Sequence, residues 1–192
     1  MEDLSGWVTK GYEIRQVIDK GGFGAVYRAF QSVIGREVAI KMILPIFANQ
    51  PEFIRRFETE AQLIARLEHP HIVPLYDYWR DPDGAYLVMR WLRGGNLRTA
   101  LTQERLDLAQ VAMVMEQIAG ALTIAHRNGI IHRDLKPENL FITNDDRLKI
   151  LDFGIAKLTE RKNTADSEDT TRKAIARFRK SLEMPELVEL PV

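Results

Sequence analysis

The chain has no cysteine, no basic-then-apolar leader, no long unbroken apolar run and no excess of charge of either sign. Without cysteine it can form neither a disulfide nor a thiolate metal site, which fits a reducing compartment. Its start, Met1 to Gly6, is acidic, unlike a secretory signal. No stretch approaches the roughly 18 consecutive apolar residues of a membrane span, so no span is expected. Lysine plus arginine equals aspartate plus glutamate at 27 each, so no global field attracts nucleic acid or an acidic membrane. These exclusions predict a cytoplasmic protein with no nucleic-acid partner. What is present is ordinary for a globular chain: 45% hydrophobic and 28% charged over 192 residues. That is enough for one good core or two small lobes.

Glycine punctuates the first part. Residues 12 to 44 read as strand, tight loop, strand, turn, strand, with strands at 12–18, 25–29 and 37–44. From Pro51 the period turns helical, with Phe53, Ile54, Phe57, Ala61, Ile64 and Leu67 recurring at three and four residues. Pro51 suits a first helical turn, and His69-Pro70 is expected to end the helix. Two strands follow, 72–78 and 85–92, around the turn Asp81-Pro82-Asp83-Gly84. Arg93-Gly94-Gly95 reads as a flexible boundary. A long helix is expected over about 108–127, capped by Asp107 with Gln110 and stopped by Asn128-Gly129. Its expected inner face is Val111, Met115, Ile118, Leu122 and Ala125. Residues 160 to 171 are polar and read as a loop.

The chemistry sits in two segments. Ile131-His132-Arg133-Asp134-Leu135-Lys136-Pro137-Glu138-Asn139 is followed, thirteen residues after Asn139, by Asp152-Phe153-Gly154. Two carboxylates, an amide and a lysine so spaced supply a base, metal ligands and a charge clamp for phosphoryl transfer. His-Arg-Asp, four residues and Asn, then Asp-Phe-Gly, resembles the catalytic loop of protein kinases, most closely the bacterial serine/threonine type. The resemblance covers about residues 12 to 158. It implies an α+β, two-lobed fold, with an antiparallel sheet and one helix in the first lobe and an incomplete, helical second lobe. The implied division is an extension at 1–11, the first lobe at 12–93, part of the second at 94–158 and a divergent tail at 159–192.

The resemblance also implies roles. Asp134 would accept the proton of a substrate hydroxyl, and Lys136 would touch the γ-phosphate. Asn139 and Asp152 would hold Mg²⁺. Lys41, ending Val38-Ala39-Ile40-Lys41, would contact the α- and β-phosphates of ATP, steadied by Glu60. Glu58 lies two residues away and so on another helix face. Gly21, Gly22, Phe23 and Gly24 would form the loop over the phosphates. Asp19 stands where the family pattern has its first glycine, and a carboxylate there repels phosphate or faces solvent. Ile18, Val26, Ala39 and Phe141 would enclose adenine, Met89 would sit behind it, and Arg90 to Leu92 would form the hinge. Ile64, Leu75, His132 and Phe153 would stack to link the helix to Asp-Phe-Gly.

Arg133 would pair with a phosphate on the loop that offers Thr164, Ser167, Thr170 and Thr171. Beyond Leu158 the family's large helices do not fit in what remains, and Met184-Pro185-Glu186 resembles its Ala-Pro-Glu anchor only by coincidence. The tail instead carries an apolar stripe, Ala174, Ile175, Phe178 and Leu182, among Arg172, Lys173, Arg177, Arg179 and Lys180. The expected function is ATP- and Mg²⁺-dependent phosphorylation of an unidentified protein substrate on serine or threonine, weak or absent in this chain alone. A partner that completes the second lobe fits the same reading. The alternatives are a non-catalytic kinase-like binding module and a small-molecule kinase of related fold, such as an aminoglycoside phosphotransferase.

Overall fold

A computed structural model describes residues 4–153. The chain divides into two compact units, Met1–Thr159 and Glu160–Val192. The described residues all belong to the first unit. The polar loop at 160–171, the four candidate phosphosites, the apolar tail stripe and Met184-Pro185-Glu186 lie outside them.

Six strands form one antiparallel sheet in the order β1-β2-β3-β4-β6-β5. They are β1 Val8–Thr9, β2 Tyr12–Gly21, β3 Gly24–Gln31, β4 Arg36–Ile43, β5 Leu75–Asp81 and β6 Gly84–Arg90. The last two were expected at 72–78 and 85–92. Ile72 instead makes a single parallel bridge to Ile150, and Val73 donates to the Ile150 carbonyl, so that stretch serves another layer. Side chains alternate across the pleat, and residues paired directly across strands share a face. One face carries Ala25, Tyr27, Val38, Ile40, Tyr86 and Val88, all buried with Tyr12, Ile14 and Trp79. Residues before Tyr12, expected only as an extension, close this face. Trp7 lies 6.1 Å from the Tyr86 ring, and the Lys10 ammonium sits 5.2 Å over Trp79.

Two helices build the layer on the other face. α1, Pro45–Ala48, is a single turn, and α2 spans Pro51–Ala65 with proline in its first turn. Phe53, Phe57, Ala61 and Ile64 recur at helical spacing and all are buried. Burying each large side chain contributes roughly 1.5–3 kcal/mol. α2 ends at Ala65, short of the expected stop at His69-Pro70. Leu67 leaves the helical ladder, donating to the Ile64 carbonyl, and still enters the core.

A three-stranded sheet follows, β7 Gly94–Asn96, β8 Leu140–Thr143 and β9 Leu148–Ile150, in sequence order. The expected flexible boundary at 93–95 is therefore partly a strand. Gly94 has φ +141°, and a Cβ there would lie 2.0 Å from the Ile142 carbonyl oxygen. The glycine permits close approach rather than looseness. α3, Leu97–Gln103, is capped by Asn96 through the Thr99 N–H. α4, Leu108–Arg127, has the expected capping box, Gln110 N to Asp107 Oδ1 at 2.7 Å and Asp107 N to Gln110 Oε1 at 2.8 Å.

The inner face of α4 differs from expectation. Ile118, Ala121 and Ala125 are buried, while Val111 and Met115 are exposed, with Leu108 85% and Met113 55% accessible. The C-terminal half of α4 supplies the buried residues of the core shared with α2, and Val114 packs against that core from the N-terminal half. By length and composition alone, with mean hydropathy 1.5, α4 also meets the requirement for crossing a membrane. Gln110, Glu116, Gln117 and Thr123 interrupt its apolar run without lowering the average much, so no unbroken run stands out in the sequence.

Candidate active site

The site lies on the sheet face opposite the aromatic cluster. Val26 pairs with Lys41 and Lys41 with Leu87; Arg28 pairs with Ala39 and Ala39 with Met89. Val26, Ala39, Lys41 and Met89 therefore share one face, as a purine slot ending in a phosphate-binding cation requires. Met89 lines a small cavity with Ile64, Val73, Leu75, Leu87, Asp152 and Phe153. Gly21 and Gly24 pair at the end of the β2–β3 hairpin. Gly24 is obligatory for packing, since a Cβ would lie 1.9 Å from the Met42 carbonyl oxygen. Ile18, Gly21, Gly22 and Phe23 are exposed. Asp19 pairs with Val26 beyond an irregularity in β2, so the carboxylate that replaces a glycine stands on the side of Val26 and Lys41. Phe141, in β8, is half-buried between Asn96 and Lys149. Arg90 is exposed at the end of β6, with its N–H on the Pro74 carbonyl, and Leu92 lies in the linker that follows.

The catalytic loop is tied from both ends. The Asn139 amide donates to the Asp134 carbonyl at 2.7 Å and to Asp134 Oδ2 at 3.0 Å. Lys136 Nζ lies 2.9 Å from the same Oδ2. Burial pushes the Asp134 carboxyl up, but the Lys136 and Asn139 hydrogen bonds and the nearby positive charge outweigh it, holding the pKa below the usual range. Asp134 is thus ionised at neutral pH. Its hydrogen bond is also the main cause that raises the Lys136 ammonium. The Asn139 carbonyl accepts from the Leu151 N–H at 2.9 Å, which sets Asp152 beside Asn139.

His132 is 2% exposed and joins the two segments. Its Nε2 donates to the Leu151 carbonyl at 2.7 Å, and its Nδ1 accepts weakly from the Asp134 N–H at 3.3 Å. Its ring lies 4.8 Å from Phe153. Ile64, Leu75 and Phe153 belong to one core, so the four residues expected to stack are brought together.

The ion pairs depart from the expected scheme. Lys41 Nζ contacts Asp152 Oδ2 at 2.7 Å, and Glu60 Oε1 contacts Arg133 Nη1 at 3.2 Å. The expected Lys41–Glu60 pair is not made, and Arg133, assigned to a phosphate, is held by Glu60. Arg133 and Asp152 both have left-handed backbones, φ 63° and 56°, uncommon for residues with a Cβ. Lys41 thus holds Asp152 in place of Glu60, and Arg133 holds Glu60 in place of a phosphate.

Asn139 and Asp152 fit a magnesium site. With the Asn139 amide nitrogen spent on Asp134, its oxygen remains to ligate, and Asp152 brings a carboxylate from the adjoining segment. Two protein oxygens suffice for an ion that keeps waters and substrate phosphates as its other ligands. Among the described residues no group of three His, Asp or Glu forms an all-protein cage.

The description "Protein kinase domain" matches residues 12–177. Serine/threonine-protein kinase PrkC of Bacillus subtilis is 43% identical over 146 residues, which cover 76% of this chain and 22% of that protein. Serine/threonine-protein kinase PknA of Mycobacterium tuberculosis is 41% identical over 155 residues, covering 78% and 36%. The chain thus spans well under two thirds of these relatives' length. Among solved structures, the kinase domain of Mycobacterium tuberculosis PknI superposes with TM-score 0.72 at 31% identity, covering 79% of this chain and 62% of that one. Rad53 1–466 in complex with AMP-PNP superposes with TM-score 0.67 at 31% identity, covering 76% and 39%. With that domain matched over most of its length, on a fold its catalytic-loop geometry already implied, the chain belongs to the protein kinase family.

Proposed function

We propose that this chain binds Mg·ATP and transfers its γ-phosphoryl group, weakly as an isolated chain, to serine or threonine hydroxyls of a protein substrate. The observation that carries the reading is the Asp134–Lys136–Asn139 cluster, a carboxylate kept ionised beside a lysine and an amide. In this reading Asp134 Oδ accepts the hydroxyl proton as the oxygen attacks phosphorus. The bond from the γ-phosphorus to the β-bridging oxygen breaks, and ADP leaves. Lys136 neutralises charge on the transferring group. Lys41 orients the α- and β-phosphates from the strand face it shares with Val26 and Ala39. Asn139 and Asp152 hold Mg²⁺, which offsets charge on the phosphate oxygens. Asp152 keeps Oδ2 on Lys41 in this structure, and if that contact is released for the metal, Glu60, now on Arg133, is the carboxylate suited to steady the lysine. The cytoplasmic address belongs to the proposal because the reaction needs Mg·ATP.

The test is transfer of radiolabel from γ-labelled ATP to a basic protein acceptor, with phosphoamino-acid analysis. Label on serine or threonine that falls about 10²–10⁴-fold in Asp134→Asn is the expected result. Label that survives Asp134→Asn, or is absent from the wild type, contradicts it. A second reading, a kinase-family module that binds a partner without transfer, is favoured by one observation: the exposed Leu108, Val111 and Met115 on one face of α4. Mg·ATP binding without transfer is the outcome that selects it.

A further inference from the structure

An open cleft of about 340 Å³ lies between the 91–93 linker and the β8–β9 turn. Its lining includes Arg90, Arg93, Arg147, Lys149 and Trp91, with Asp145 as the one carboxylate. On a chain with equal numbers of acidic and basic residues, four cations around one cleft are a local concentration. Two are partly neutralised: Arg93 contacts Glu37 at 3.5 Å, and Arg147 contacts Asp145 at 3.1 Å. Among the described residues neither Arg90 nor Lys149 has a carboxylate in ion-pair contact. The Lys149 ammonium is fixed on the Pro70 carbonyl. Burial first, then Arg90 and Arg147, lowers its pKa, with Asp145 opposing. The positive potential in the cleft is therefore only partly compensated.

The walls are preorganised. Thr143 Oγ1 bridges Asp145 Oδ1 at 2.6 Å and the Arg147 carbonyl at 3.0 Å, and Asn144 N donates to the Arg93 carbonyl at 2.9 Å. Lys149 stands on β9, paired with Phe141. Arg93, Arg147 and Lys149 lie outside the proposed transfer machinery of Asp134, Lys136 and Lys41, while Arg90 also stands in the expected hinge, with its backbone N–H on the Pro74 carbonyl.

We propose that this cleft docks an acidic peptide segment of a partner protein, with glutamate or aspartate carboxylates on Arg90, Arg147 and Lys149. Guanidinium forks match the planar carboxylate in two-point contact, and Trp91 offers apolar surface to the peptide between its charges. Four cations spread around an open rim, two of them half-neutralised, suit several single charges along a peptide better than one concentrated dianion. An extended nucleic-acid track is not what a single cleft on a neutral chain provides. The site needs no phosphoryl transfer, so it stands or falls separately from the proposed activity.

The experiment is fluorescence anisotropy of a short fluorescein-labelled glutamate-rich peptide with the full chain, at low ionic strength, where charge attraction is least screened. The expected result is saturable binding, weakened about tenfold or more in Arg90→Glu/Arg147→Glu. The matched control Arg56→Glu/Arg66→Glu, on exposed arginines of α2 and its end, should stay within about twofold. Should the double variant lose its cooperative melt, Arg90→Gln, a neutral change at an exposed side chain, is expected to weaken binding about threefold. No saturable binding by the wild type, or equal loss in site and control variants, overturns the proposal. Tighter binding of an otherwise uncharged phosphothreonine peptide overturns it in favour of a phosphate site.

Discussion

At the scale of single residues, His132 carries more than its position beside the catalytic aspartate suggests. Its neutral tautomer spends both nitrogens inside the loop, donating to Leu151 and accepting from Asp134 N–H. Burial is the largest influence on it and pulls its pKa down, assisted by Lys136 and opposed by the Leu151 carbonyl, Asp152 and Asp134. A histidine kept neutral by the fold takes up its proton more readily when unfolded. Stability is therefore full above the ordinary histidine pKa of about 6.5 and declines as pH falls below it. The decline cannot exceed about 1.4 kcal/mol per pH unit for one group. Thermal melts from about pH 7.5 to 5.5 should show a falling midpoint, and His132→Gln should flatten part of that slope. His69, also lowered chiefly by burial, supplies the remainder. A wild-type slope unchanged in His132→Gln contradicts this account of the loop.

At the scale of elements, the glycines divide into those that bend the chain and those that let strands approach. Gly94 belongs to the second kind, and replacing it tests whether β7 is a built strand or a loose boundary. Gly94→Ala must move the Ile142 carbonyl and hold a Cβ at φ +141°. It is expected to cost about 2–3 kcal/mol, read as a lowered melting midpoint. Gly95→Ala, with no atom within 4 Å of its added Cβ, should cost less than about 1 kcal/mol. Equal effects would show that β7 does not constrain the chain.

The same element shows where sequence reading stops. Periodicity found α2 and α4, and Asp107 with Gln110 marked the start of α4, because those signals lie within a turn of each other. The short strands β7, β8 and β9 carry no alternation long enough to read; their pairing depends on the chain returning from residue 140 to residue 94. Likewise, spacing assembled Asp134, Lys136, Asn139 and Asp152 into one site. The pairing of Lys41 with Asp152 and of Arg133 with Glu60 joins residues far apart in the chain, with left-handed backbones at Arg133 and Asp152 that spacing does not announce. The cleft of Arg90, Arg93, Arg147 and Lys149 was equally hidden, because those residues meet only when β8 and β9 fold against the linker.

At the scale of the whole molecule, the balance of charge conceals an uneven distribution, with cations gathered outside the linker and carboxylates shared among the loop cations within. The apolar residues are uneven too. One core joins α2, the C-terminal half of α4 and β8–β9, while the N-terminal half of α4 leaves Leu108, Val111 and Met115 in solvent on one helix face. Contiguous exposed apolar surface of this kind marks a place for another protein surface. In the proposed function the space between the glycine hairpin, Lys41 and the catalytic loop is the seat of Mg·ATP. The most direct test is the thermal unfolding of the purified chain with and without saturating Mg·ATP, with Lys41→Met as control. Binding at about 100-fold over Kd adds about 2.7 kcal/mol, a rise of roughly 5–10 °C for a chain of this size. The account predicts that rise in the wild type and little or none in Lys41→Met. A wild-type midpoint that does not move, or an equal rise in both proteins, contradicts it.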